Sequence, residues 1–212
     1  MRKKFAFVDL DGVLFNIAAF KKRYFEFLVS IFDAADATEE VLTSYEASKE
    51  MGWYNVDRHI ALLSAISLPA CAIRSRIDDF MHNEAKQFMY PDAAMFLRRL
   101  SDLGYETRIA TAGVEWFQEE KIGIQFLRHI VGVFTTGDPT KTSVIGRFAD
   151  PEKDDIVLFD DTTRVIDWVK EFFPKVCAVQ VRRDSWDGAS DKADFHVSNL
   201  EEAFDLLRLP LP

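Results

Sequence analysis

The chain has 212 residues, 48% of them hydrophobic and 29% charged, with a net charge of −9. These are the proportions of a folded globular protein large enough for its own core, as one domain or a core with a modest insert. The acidic balance argues against a nucleic-acid polymer or an anionic membrane as the main partner, because a basic footprint is missing. Small anions stay open, since a local lysine or metal ion can attract them despite an acidic surface.

The chain begins with the basic run Met1-Arg2-Lys3-Lys4, but Asp9 and Asp11 cut the apolar stretch that follows. It therefore cannot serve as a signal-peptide core, and no apolar run approaches the span of a membrane. A cytoplasmic location is expected from the absence of such signals. Cys71 and Cys177 are far apart and in no metal-ligand spacing, so two buried thiols are expected rather than a disulfide.

Phe5 to Val8 is a short apolar run that reads as a buried strand. From about Ile17 to Phe88 the period becomes helical, with Phe20, Tyr24, Phe27, Leu28 and Ile31 at three- and four-residue steps. Thr38-Glu39-Glu40 marks a helix start, and helices are predicted over Val56 to Ile66 and Ile73 to Phe88, with no strand in this stretch. Pro91-Asp92 opens another helix, which Gly104 closes. Strands follow at Thr107 to Ala110, Ile130 to Phe134, Ile156 to Phe159 and Val176 to Val181. Helices separate them at Trp116 to Leu127 and Val165 to Phe173, and Leu200 to Leu207 forms a last one. This alternation predicts an α/β fold: a Rossmann-like parallel sheet core covered on both faces, with an inserted α-helical cap domain. The core takes residues 1–15 and 90–212, and the cap takes 16–89.

In such sheets ligands bind beyond the carboxyl ends of the strands. Four of these ends carry polar residues: Asp9-Leu10-Asp11-Gly12-Val13, Thr111-Ala112-Gly113, Asp138-Pro139-Thr140-Lys141 and Asp160-Asp161-Thr162. Paired carboxylates just past a buried strand can hold magnesium, which prefers hard oxygen ligands. One carboxylate can then attack phosphorus while its neighbour handles protons. Thr111 and the backbone N–H groups after it, Ala112 first, can bind phosphoryl oxygens. Lys141 can offset the charge that develops on the transferring group. Asp160 and Asp161 complete the metal site.

These four motifs, in this order, resemble those of the haloacid dehalogenase (HAD) superfamily. Asp9 to Val13 matches its Asp-x-Asp-Gly-x-Thr/Val motif, Thr111 its second motif, Lys141 its third and Asp160-Asp161 its fourth. Ala193 to Glu202 also resembles the family's closing strand and helix. The resemblance implies a magnesium-dependent phosphatase in which Asp9 forms an aspartyl-phosphate. Asp11 would protonate the leaving oxygen and later activate water. It also implies that the Asp9 side chain and the Asp11 backbone carbonyl bind Mg2+, and that the helical insert is a C1-type cap that closes over the site. Dehalogenase members usually lack the second aspartate, so Asp11 points to phosphoryl chemistry.

The chain departs from the family pattern in places. Many relatives carry an acidic residue or Asn four positions after the fourth-motif aspartate, where this chain has Arg164 and Val165. Asp167 lies further along and reads as a helix-surface charge. The direct ligand of the Asp160-Asp161 pair is left open, and Lys121 and Lys153 stand behind Lys141 as alternatives. His59, His82, His129 and His196 share no ligand spacing. The glycine-broken aromatic turn Met51 to Asn55 can present a substrate-selecting loop, and Phe15 and Asn16 can line the entrance. The expected partner is a small phosphate ester, such as a sugar phosphate, phosphoglycolate or nucleotide. The alternatives are a phosphomutase or phosphotransferase with the same nucleophile, and a catalytically silent binding protein.

Overall fold

A computed structural model describes residues 2–32, 37–50, 52–66, 68–122, 130, 132–138, 140–183 and 188–207. The elements run β1 (Lys4–Val8), α1 (Ile17–Ile31), α2 (Ala37–Ser48), β2 (Lys49–Glu50), β3 (Trp53–Tyr54), α3 (Val56–Ser64), α4 (Ala70–Glu84) and a 3-10 turn at Ala85–Phe88. They continue with α5 (Ala93–Asp102), β4 (Glu106–Ala112), α6 (Glu115–Lys121), β5 (Gly132–Thr136) and α7 (Thr142–Phe148). The chain then forms β6 (Asp155–Asp160), α8 (Thr163–Phe172), β7 (Cys177–Val181), β8 (Phe195–Val197) and α9 (Leu200–Leu206).

Among the described residues the main sheet has six strands in the order β5-β4-β1-β6-β7-β8, every neighbouring pair parallel. The two-residue period of β1 sends Phe5 and Phe7 to one face and Ala6 and Val8 to the other. Phe5 and Phe7 share a cluster with Val144 and Ile145 of α7 and Ile166 and Val169 of α8. Ala6 and Val8 share theirs with Phe96 and Leu100 of α5 and Ala203 and Phe204 of α9. Helices thus cover both faces, which is why the strands read as continuous apolar runs.

The connection from β1 leads to β4 on one side, and the chain later returns to β6 on the other. The crevice between the carboxyl ends of β1 and β6 is therefore the switch point, where open α/β sheets bind ligands. Residues between β1 and β4 depart and return side by side: Asn16 N–H donates to Phe88 O and Tyr90 N–H to Leu14 O, both at 2.8 Å. Asn16 also caps α1 through Ala19 N–H.

Several predicted features differ. The insert contains a short antiparallel ladder, β2 with β3, where no strand was expected. Two residue pairs around Gly52, at φ +93°, are too short to leave a period-two signal. Met51 of that turn, Leu127 of the predicted helix end, His129 and Pro139 lie outside the described residues. Helix α7 was not foreseen; it has seven residues and an internal Gly146. Asp92 sits at the start of α5, but its carboxylate accepts from Arg183 and from Leu200 N–H instead of capping the helix. Both cysteines are free, yet Cys71 is exposed, because it occupies the solvent side of α4, and only Cys177 is buried. Among the described residues, no helix is long and apolar enough to cross a membrane.

Candidate active site

The site grows from the end of β1. Asp9 N–H continues the sheet by donating to Phe159 O at 2.9 Å, which places its carboxylate beside that of Asp160 at the end of β6. Asp9, Asp160 and Asp161 are all buried, and each offers one oxygen within 4.8 Å of the others. Lys141 Nζ lies between two of them, 2.8 Å from Asp9 Oδ1 and 2.6 Å from Asp160 Oδ2. Leu10 N–H donates to Asp9, Thr162 N–H to Asp160, and the Thr162 hydroxyl to Asp161.

Two backbone conformations make this convergence possible. Gly12 has φ +82°, and a Cβ there would lie 2.0 Å from Asp161 Oδ2. The glycine of the first motif thus serves both the turn and the close approach of the fourth-motif carboxylate. Lys141 has φ +60°, an uncommon conformation for a residue with a side chain. Asp138 anchors the loop before it, accepting from Thr140 N–H, the Thr140 hydroxyl and Ser143 N–H.

Electrostatics follow from burial. Desolvation pushes the Asp9 and Asp161 carboxyls well above the usual carboxylate range. Lys141 pulls both back down, while the neighbouring carboxylates push further up. Lys141 itself is raised above the ordinary lysine range, because attraction to Asp160 and Asp9 outweighs desolvation. Three buried carboxylates facing one ammonium are short of positive charge. All the donors are hard oxygens, the ligand type magnesium prefers. Two oxygens on one Mg2+ lie up to about 4 Å apart, so a small contraction would close the group on an ion. The residues present fit that metal.

The Asp11 carboxylate lies outside this group, as suits a reading in which Asp11 turns its backbone carbonyl, not its side chain, to the metal. Its carboxylate is held by Lys121 Nζ, 2.8 Å from both oxygens. Lys121 is buried in the last turn of α6, and its ammonium lies over the rings of Phe15, Phe20 and Phe117. Burial lowers the pKa of Lys121, against the pull of Asp11. Two lysines therefore serve the site, Lys141 on Asp9 and Lys121 on Asp11. Lys153 does not, since it pairs with Asp150 on the surface.

A cavity of about 420 Å³ opens from these carboxylates between core and insert. Asp9, Asp11, Thr111, Ala112, Lys121, Lys141 and Asp161 line it on the core side. Thr111 and Ala112 lie within β4, paired with Thr135 and Thr136 of β5. Gln118, one helical turn before Lys121, also lines the cavity and donates to Ala112 O. Only the three-residue step from Gln118 to Lys121 hinted that both share a helix face. Arg164 and Val165 line the rim, whereas Asp167 accepts from the Ser190 hydroxyl. Phe15 is packed in the core and Asn16 caps α1; Ile17 and Phe20 line the wall instead. His82 is exposed, and His196 is bonded to Ser190 O. His59 is buried in the insert between Ser44 and Tyr54.

A parallel α/β sheet with an acidic cluster at its switch point and an inserted helical layer defines a class of protein. No family model and no curated protein matches the chain, but solved structures do. A Burkholderia xenovorans LB400 protein described as a haloacid dehalogenase-like hydrolase superposes with a TM-score of 0.74 at 16% identity, covering 97% of each chain. A HAD phosphatase from Thermococcus onnurineus gives 0.70 at 21% identity, covering 96% of this chain and 97% of its own. A magnesium-bound Bacillus subtilis protein described as a HAD-hydrolase gives 0.64 at 14% identity, over 99% and 100%. Dehalogenases are among the matched structures too. The chain has the haloacid dehalogenase-like fold.

Proposed function

We propose that this protein is a magnesium-dependent phosphohydrolase that cleaves a small phosphomonoester through an aspartyl-phosphate on Asp9. The observation that carries the reading is the convergence of Asp9, Asp160 and Asp161, bridged between the first two by Lys141, with Asp9, Asp161 and Asp11 lining one cavity. The pair Asp9 and Asp11 favours phosphoryl transfer over dehalogenation, for which a second, proton-handling carboxylate is not needed.

Asp9, the Asp11 backbone carbonyl, Asp160 and Asp161 would hold Mg2+. When bound, the ion supplies positive charge to the transferring phosphoryl group and keeps the carboxylates ionised. Asp9 attacks phosphorus, forming a carboxylate O–P bond as the ester O–P bond breaks. Asp11 gives its proton to the departing alkoxide, then takes one from the water that attacks the aspartyl-phosphate, releasing phosphate and regenerating Asp9. Lys121 donates to both oxygens of Asp11, so Asp11 acts as the acid once a proton takes the place of one of these contacts. Thr111, Ala112 N–H and Lys141 bind phosphoryl oxygens. Lys21, Lys49 and Arg164 around the cavity draw in the anionic ester despite the acidic whole.

A panel of phosphate esters assayed with magnesium, beside the Asp9→Asn variant, tests this reading. Wild type turns over at least one ester, chelation abolishes the activity and magnesium restores it. Asp9→Asn remains folded and loses at least about a thousandfold in turnover, a barrier increase of about 4 kcal/mol. Residual activity within about tenfold of wild type would place the nucleophile elsewhere.

A further inference from the structure

Away from the carboxylates the cavity wall is aromatic. Phe20 and Tyr24 come from α1, Tyr45 from α2, Trp53 and Tyr54 from β3, and Phe117 from α6. The rings brace one another edge to face: Tyr54 and Phe117 centroids lie 5.6 Å apart at 70°, and Phe20 and Phe117 6.0 Å apart at 69°. Phe117 belongs to the core side and the others to the insert, so the wall spans the seam between them.

The hydroxyl protons of Tyr24 and Tyr54 on this wall are already committed. Ser44 donates to Glu40 O at 2.7 Å, so its oxygen accepts from His59 Nε2–H at 2.9 Å. His59 Nδ1 then accepts from the Tyr54 hydroxyl at 2.8 Å, and Tyr54 oxygen accepts from Tyr24 at 3.2 Å. This tautomer is assigned from the hydrogen-bond network. Tyr24 and Tyr54 consequently offer an occupant their ring surfaces without a free donor. Two buried lining groups do lack partners among the described residues: the Trp53 indole N–H and the Gln118 amide oxygen.

A polyhydroxylated alcohol laid against Phe20, Tyr24, Tyr54 and Phe117 would surrender its hydrogen bonds to water and find few replacements on those rings, a costly exchange. A flat ring would instead meet aromatic faces and edges. Resting on the phosphohydrolase reading above, we propose that the ester's alcohol carries a flat aromatic ring, seated in the cavity against the wall that Trp53 and Tyr54 form with Phe117. Trp53 and Tyr54 are then specificity-determining, and His59 is a positioning residue that holds Tyr54.

Benzyl phosphate and cyclohexylmethyl phosphate test this directly, because both release a primary alcohol of nearly equal size and differ in flatness and π-character. Wild-type kcat/KM favours benzyl phosphate by about fivefold or more, the scale of one or two aromatic contacts, and exceeds that for glycerol 3-phosphate by a wider margin. Trp53→Leu brings the benzyl-to-cyclohexylmethyl ratio towards one, mainly through KM. Equal or reversed preference in the wild type overturns the proposal, as does glycerol 3-phosphate being the better substrate. Calorimetric binding of benzylphosphonate against cyclohexylmethylphosphonate, in magnesium, separates this from failure of the hydrolase reading. Tighter benzylphosphonate binding without turnover of any ester supports the ring site while refuting the hydrolase. Equal binding, or none, overturns the ring site itself.

Discussion

Consider Gly12→Ala, the smallest change that reaches the acidic cluster. Its left-handed backbone, φ +82°, costs an alanine about 1–2 kcal/mol. For a chain of this size that lowers Tm by roughly 2–8 °C. The larger consequence is local. The added methyl would lie 2.0 Å from Asp161 Oδ2, whereas ordinary contacts begin near 3.5 Å, so the carboxylate must retreat by more than about 1 Å. Metal sites hold their ligand distances to about 0.2 Å, and a 1 Å misplacement near reacting groups costs on the order of a hundredfold in rate. Melting followed by circular dichroism, with kcat/KM measured across a magnesium titration, separates the two effects. The expected variant is folded, modestly less stable, and at least about a hundredfold poorer at saturating substrate, with a raised magnesium requirement. A lowered Tm with wild-type turnover and magnesium response would refute the role given to Asp161.

Lys121→Met keeps the length of a buried side chain while removing its charge, so Tm changes by only a few degrees, because burying an ammonium is itself unfavourable. Asp11 loses its anchor, and turnover falls by roughly ten- to a hundredfold; a large drop in Tm with unchanged kcat would make Lys121 purely structural. Burial lowers the His59 pKa to about 4 from 6.5, so between those values the unfolded chain binds the extra proton. Stability contributed by neutral His59 is therefore complete above pH about 6.5 and is lost as pH falls towards 4, by at most about 1.4 kcal/mol per pH unit. Urea unfolding at pH 7, 6 and 5 should show the gap between wild type and His59→Gln closing as the solution is acidified; a constant gap would mean that folding leaves the His59 pKa unchanged, and a widening one that His59 is protonated in the native state.

The arrangement of Asp9, Thr111 and Asp160 was legible because each ends a short apolar run, and a parallel sheet brings such ends to one edge. Gly12 was legible as a turn residue, although its second use, clearance for Asp161, depends on a residue 149 positions away (161 − 12). The salt bridge between Lys121 and Asp11 left little trace, since it joins residues 110 apart and one candidate lysine looks like another. Nor did the two-residue ladder β2–β3, which is shorter than any periodicity that could reveal it.

Local chemistry along the chain thus determined which side chains stand at the ends of the strands, because hydrophobic period and turn residues are short-range properties. The tertiary structure decided which of them touch. It set one lysine against each of Asp9 and Asp11 and drew the Asp160-Asp161 pair onto Asp9. It also closed the aromatic wall from α1, α2, β3 and α6. Those contacts depend on the packing of segments that lie tens to more than a hundred residues apart, and no local pattern encodes the distance between them.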